Sequence, residues 1–338
     1  MMKIQSKIVI LASSFLLIAS CSKKEQAVEP SILTTMPGAS YVSMPPTPTD
    51  NLIQTSERLL KTVKTLSVDI GERNIGKIKN LNKASNYIKG KLKNQGYNIE
   101  SNSYTYKNHT VENIYTIKPA ANKTDKVIVV GAHYDSLFGT VGANDNASGI
   151  AVLLELAKIL KNKKLGANIH FVAFANEEPP YFKTENMGSV IYAKKLRKQK
   201  ENVIAMYSLE TMGAYYDNKG SQQYPFPLGQ YYPDVGNFIA FVSDDKSRTL
   251  LKDSIKLFRD NAEIPSEGLS APEDLEGVSW SDHWAFWQAG YPALMITDTA
   301  PFRYEHYHQL TDTYEKIDYL RMSRVTHGIS QMLQKIAN

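Results

Sequence analysis

The chain has 338 residues, 42% hydrophobic and 22% charged, a composition that excludes disordered, collagen-like and polytopic membrane classes. Lys and Arg number 39 against 34 Asp and Glu, and the resulting +5 is too small and too dispersed to ask for a nucleic-acid partner. Its single cysteine, Cys21, excludes an intramolecular disulfide, an iron–sulfur cluster and a thiolate zinc site.

Residues 1–20 begin with Lys3 and Lys7, continue as an apolar run from Ile8 to Ile18, and end in small residues. The run is shorter than the about 20 residues of a spanning helix, and the pattern is that of a secretory signal. Ile18-Ala19-Ser20-Cys21 resembles the bacterial lipobox, so Cys21 is expected to be acylated and to hold the protein to a membrane of the cell envelope. Ser22, where an Asp would retain the protein at the inner membrane, favours the outer membrane in a bacterium that has one. From Ser22 to Asp50 the chain carries five prolines and reads as an extended tether. The division expected is signal 1–20, lipidated Cys21 and tether 21–50, and one catalytic body 51–338.

Within the body, helical spacing runs over Leu52–Leu66 and Ala84–Leu92, with a break at Gly71-Glu72-Arg73-Asn74. Residues 97–118 alternate as strands, and Lys126–Gly131 (KVIVVG) is a continuous apolar run, the mark of a strand buried on both faces. Helical periodicity returns over Asn146–Leu160, with Asn144 or Asp145 placed to begin it. Strands at Ile169–Ala175, Val203–Leu209 and Ala293–Thr297 alternate with helices at Gly188–Arg197, Ser247–Asn261, Trp284–Gly290 and from Ile317. Such βα alternation predicts an α/β fold, a mostly parallel sheet between helical layers. The Tyr-, Pro- and Gly-rich stretch 215–236 is too long for an ordinary connection. It reads as an insertion that either shapes a specificity pocket or packs over the sheet.

No G-x-S-x-G elbow, phosphate loop, dinucleotide fingerprint or H-E-x-x-H helix is present. Instead His, Asp and Glu residues follow the strands, where open parallel sheets bind ligands. His133-Tyr134-Asp135 offers an imidazole ligand with a carboxylate to orient it. Asp145, in Gly142–Gly149, is a metal-ligand candidate or a helix cap. Glu177-Glu178 repel each other unless a cation shares them, which leaves one as ligand and one for proton transfer. Glu210 closes its strand in the same way, and His306-Tyr307-His308, then Thr311-Asp312-Thr313, lie beyond the last strand. Such a set without thiolate suits Zn²⁺, with Mn²⁺ or Co²⁺ as alternatives.

In this order HYD, GANDNASG, FANEEPPYF, SLETMG, SDHWAFW and HYHQLTDT resemble the di-zinc exopeptidase family of secreted bacterial leucine-type aminopeptidases, from about Leu59 to the C-terminus. The resemblance implies a phosphorylase/hydrolase-like three-layer α/β/α fold with a central mixed sheet. It also implies peptide hydrolysis by a water bridging two zinc ions. Asp145 bridges the metals, His133 and Glu210 complete one, and Glu178 and His308 complete the other. Glu177 becomes the general base, Asp135 supports His133, and Tyr307 stands where some relatives hold an oxyanion-stabilising Tyr. Others place that Tyr where this chain has Val278. Glu210 replaces the more usual Asp. Asp282 and His283 are expected to support the site, and His306 to lie outside it. Related glutaminyl cyclases use one zinc at the equivalents of Asp145, Glu178 and His308, and some relatives are ligand-binding modules. The filled His133 and Glu210 positions favour a second metal and hydrolysis.

Overall fold

A computed structural model describes residues 34–338, so the expected signal sequence and Cys21 lie outside the described residues. Helices α1 (Asp50–Lys64) and α2 (Ile78–Asn94) precede the antiparallel pair β1 (Glu100–Tyr106) and β2 (His109–Lys118). Then come β3 (Lys126–His133), α3 (Gly149–Leu160), β4 (Asn168–Phe174), α4 (Gly188–Gln199) and β5 (Asn202–Glu210). The chain ends with β6 (Ile239–Ser243), α5 (Arg248–Arg259), β7 (Ser266–Ser270), α6 (His283–Gln288), β8 (Ala293–Thr297) and α7 (Tyr319–Ile336). The eight strands form one mixed sheet in the order β1-β2-β4-β3-β5-β8-β6-β7. The central β4, β3, β5 and β8 run parallel. No helix among the described residues is long and apolar enough to cross a membrane.

Alternate residues of a strand face opposite layers, and β3 has apolar residues at both. Ile128 and Val130 enter the larger core with Phe171 and Ile296, beneath α1, α2, α3, α5 and α7. Val127 and Val129 enter a thinner one with Val172 and Phe174, beneath α4 and α6. On this second side α6 reaches β8 and adds Trp287 at the border of β6. Phe238, Ala240, Val242, Leu269 and Met295 are covered by Tyr224, Leu228 and Tyr232 of the 215–236 stretch. That stretch therefore packs over the sheet, and in doing so it roofs a cleft.

Two strands of this region, β6 and β7, are absent from the sequence expectation. The segment read as tether also touches the body. Arg259 donates to the carbonyls of Met36, Pro37 and Gly38 at 3.1–3.4 Å, and the Ser266 N–H donates to Ser40 Oγ. Carbonyls of a Pro-rich strand have no ladder partners, which leaves them free for a buried guanidinium. Gly268 makes room for this strap, because a Cβ there would lie 2.7 Å from the Met36 side chain.

Candidate metal centre and active site

The parallel strands all end at one edge, and the chain leaves several of them through left-handed backbone. Asn176 after β4, Thr211 after β5 and Thr299 after β8 have φ of 56°, 46° and 59°, and His308 has 57°. Non-glycine residues adopt this region at a cost, and such residues cluster at functional sites. Here they bring successive strand ends into one depression. The expected helix at Asn146–Leu160 begins only at Gly149. Residues 143–148 form an irregular turn in which Asp145 has φ −110° and ψ 91°. Gly142 permits the turn, since a Cβ there would lie 2.1 Å from the Asp145 carbonyl oxygen.

Asp145 does not cap the helix. Its Oδ1 is 3.3 Å from His133 Nε2 and its Oδ2 is 3.1 Å from His308 Nε2. His133 Nε2 also lies 3.4 Å from Glu210 Oε2 and 3.8 Å from Glu177 Oε2, and His308 Nε2 lies 3.5 Å from Glu178 Oε2. One donor atom each from His133, Asp145 and Glu210 lie within 4.8 Å of one another, as do those of Asp145, Glu178 and His308. Tyr307 stacks on His308 with ring centroids 3.9 Å apart. Asp135 accepts from the backbone N–H groups of Glu177 and Glu178, both at 3.1 Å, and its Oδ1 is 3.6 Å from His133 Nδ1. All eight residues singled out in the sequence thus meet at one place.

The electrostatics of the cluster fit a shared cation. Both ring nitrogens of His133 and Oε1 of Glu178 are buried without a hydrogen-bond partner among the described residues. Burial raises the pKa of Glu177 and Glu178 well above the carboxylate range, and neighbouring carboxylates add to the shift. Burial also raises Glu210. Burial opposes protonation of His133, but Glu210, Glu177, Asp135 and Asp145 outweigh it and raise its pKa well above normal. Asp145 goes the other way: burial is outweighed by the adjacent imidazoles of His133 and His308, and its pKa falls. Carboxylates packed this closely favour a cation that they can share. Imidazole nitrogen and carboxylate oxygen are donors that zinc accepts, so these residues fit the ion.

Several supports surround the centre; of these Asp312 stands among the sequence candidates, and Asp298 does not. Asp312 accepts from the N–H groups of Asn144 at 2.8 Å and Asp145 at 3.1 Å, and from Tyr304 Oη at 2.9 Å. Asp298 accepts from Asn144 Nδ2 and from the Gly213 and Ala214 N–H groups. Ser281 donates to Glu210 Oε2 at 2.7 Å. Asp298 follows β8 directly, so the strand-end pattern that marks Glu210 would have found it. Asp282 and His283 are buried outside both donor sets, and His283 Nε2 donates to the Val278 carbonyl. His306 also stays outside, bonded to Thr311.

A narrow cleft, open to solvent, adjoins the centre. Glu210 and Tyr307 stand at its inner end, and Val242, Met295 and Phe238 are among its apolar walls.

BSAP, a zinc aminopeptidase from Bacillus subtilis, has the same fold, with a TM-score of 0.68 at 16% identity over 84% of this chain and 95% of that one. So does a glutaminyl cyclase of Fimbriiglobus ruber, with a TM-score of 0.62 at 19% identity over 87% and 98%. The uncharacterized protein YfbL of Escherichia coli (strain K12) is 35% identical over 82% of this chain and 87% of its own. Residues 113–333 match peptidase family M28. The chain belongs to peptidase family M28 and is a metal-dependent exopeptidase, a zinc metallopeptidase.

Proposed function

We propose that the protein is an aminopeptidase that removes the first residue of a peptide with two zinc ions at the paired donor sets. The observation that carries this reading is Asp145, common to two three-residue donor sets, beside Glu177, which belongs to neither. His133 and Glu210 would hold one ion and Glu178 and His308 the other, with Asp145 between them. Bound zinc would lower the pKa of a water and polarise the scissile carbonyl.

The protein's own groups do the rest. Glu177 takes the proton of the attacking water and passes it to the leaving amine. Asp135 grips the backbone on both sides of the Glu177–Glu178 peptide bond, which keeps the base and the ligand in fixed relation. Burial keeps the Tyr307 hydroxyl un-ionised, so it can donate to the carbonyl oxygen as negative charge develops there. Glu210 lines both a donor set and the cleft. A substrate whose first side chain enters the cleft thus brings its free α-amine close to a carboxylate. The leading residues are proposed to hold this enzyme on the cell envelope through acylated Cys21. Labelling with radioactive palmitate, lost in C21A, is the expected result, and equal labelling of C21A would remove that part.

The test is a panel of free and N-acetylated peptides together with zinc analysis. Two ions per chain and cleavage only of free-amine peptides are expected. The fold shared with a glutaminyl cyclase supports one competing reading, for which a single zinc and cyclisation of N-terminal glutamine would be decisive.

A further inference from the structure

The sheet register runs the cleft away from the metal centre along one row of cross-strand partners. Glu210 pairs with Thr297, Thr297 with Ala240, and Ala240 with Glu267. Direct partners share a face of the sheet, so Glu267 points to the same side as Glu210. At 4.7–4.9 Å per strand, its Cα lies about 14 Å away. Between them the floor is apolar, with Met295, Val242 and Leu269 in the adjoining row.

The far end is charged with one sign. Three carboxylates, Glu210, Glu267 and Glu276, line the cleft, and no Lys, Arg or His does so among the described residues. Glu267, its side chain 25% exposed, accepts no hydrogen bond from any described residue, and its ion-pair contact with Arg259 is 4.0 Å long. Arg259 is committed elsewhere, donating to Ser266 Oγ, the Ser266 carbonyl and the strap carbonyls. Burial raises the pKa of Glu267 and Arg259 opposes the shift only in part. This carboxylate is short of positive charge and of donors.

We propose that Glu267 selects the substrate's first side chain, and that the cleft takes lysine or arginine in preference to leucine. The inference rests on the aminopeptidase reading of the adjoining centre. A lysine or arginine carries an apolar stem that suits the walls and a charged end that reaches Glu267. A leucine stops along the floor and leaves Glu267 unmet. Glu276, exposed at the rim, adds to the attraction during entry.

The experiment measures kcat/KM of the zinc-loaded protein on aminoacyl p-nitroanilides of Arg, Lys, citrulline, Met and Leu. Arg is expected to exceed citrulline, its uncharged near-isostere, by 10-fold or more. In E267Q the Arg and Lys values should fall 10- to 100-fold, mainly through KM, while Leu and Met change less than 3-fold. An unchanged melting temperature would show that the Arg259 strap survives. Equal rates on Arg and citrulline in the native protein, a preference for Leu, or a uniform fall across the panel in E267Q would overturn the assignment of Glu267 and leave the aminopeptidase reading standing. Cleavage of no member, or equal cleavage of N-acetylated members, would refute that reading and this inference with it.

Discussion

Asp312 supplies no atom to either donor set, yet it holds the backbone of the residue common to both. Its two oxygens accept from three groups, the Asn144 and Asp145 N–H and the Tyr304 hydroxyl. The side chain is 1% exposed, so water cannot readily replace it. In D312A three buried donors lose their acceptor, at about 1–3 kcal/mol each. Part of this is returned, because the carboxylate itself is unfavourably buried, with a pKa raised to about 6. A net loss of ~2–4 kcal/mol in apo-protein stability is expected. Freed of its anchor, Asp145 should also hold zinc 10- to 100-fold more weakly, the usual effect of removing an orienting partner. Y304F deletes one of the three bonds and should cost about 1 kcal/mol with little change in zinc affinity. Urea unfolding of chelator-treated protein and competition for zinc against a fluorescent chelator measure the two effects separately. Native zinc affinity in D312A would refute the argument that this carboxylate positions the shared ligand.

Further outcomes follow from other residues. E177Q should lose 10²–10⁴-fold in kcat, the span of general-base catalysis, while zinc content measured by mass spectrometry stays native. Near-native turnover would remove Glu177 from its role. Y307F should lower kcat by about 10²-fold or more if its hydroxyl meets the developing oxyanion, with KM little changed; an effect confined to KM would reduce Tyr307 to a wall of the cleft. Burial lowers the pKa of His170 and of His283 to about 4. Each is neutral when folded and takes up a proton on unfolding below its ordinary value. Their stabilisation is therefore complete above pH 6.5 and declines as pH falls toward 4, by ~2 kcal/mol each at pH 5. Urea midpoints of chelator-treated H170Q and H283Q should fall less steeply between pH 7.5 and 5 than those of the native chain, and parallel slopes would contradict the assignment.

What the sequence disclosed follows from how each part is stabilised. KVIVVG and ALMIT are apolar at consecutive positions because helices or loops cover both faces of β3 and β8, and such runs are legible without partners. β7 reads Ser-Glu-Gly-Leu-Ser, a poor strand by propensity. It forms because β6 supplies a ladder and because Gly268 lets the strap lie close, both of them long-range facts. The candidate ligands His133 and Glu210 were legible because each closes a strand, while Asp145 and His308 lie in loops beyond strand ends and were marked by the family resemblance. Asp312 was legible as a candidate beyond the last strand but its role was not, since it accepts hydrogen bonds from a loop more than 160 positions earlier. The late start of α3 has the same origin: helical periodicity reaches back to Asn146, while Asn144, Asp298 and Asp312 hold residues 143–148 in another shape. The 215–236 stretch packs over the sheet beyond α6 and lines the cleft there, a placement its composition alone does not specify.

The grip of Arg259 on Met36–Gly38 fixes the point at which the leading end of the chain joins the body. Thr34 borders a hollow shared with Pro227, Leu228 and Tyr231, on the outer side of the loop that roofs the cleft. A support attached to that end therefore holds the enzyme by the doorway of its cleft, not by its far side. Close to a surface, such a doorway admits a loose peptide end more readily than a bulky folded protein. Full-length chain fixed to beads through its N-terminus should discriminate against large substrates more strongly than chain fixed through its C-terminus, and equal discrimination would show that the point of attachment does not filter by size.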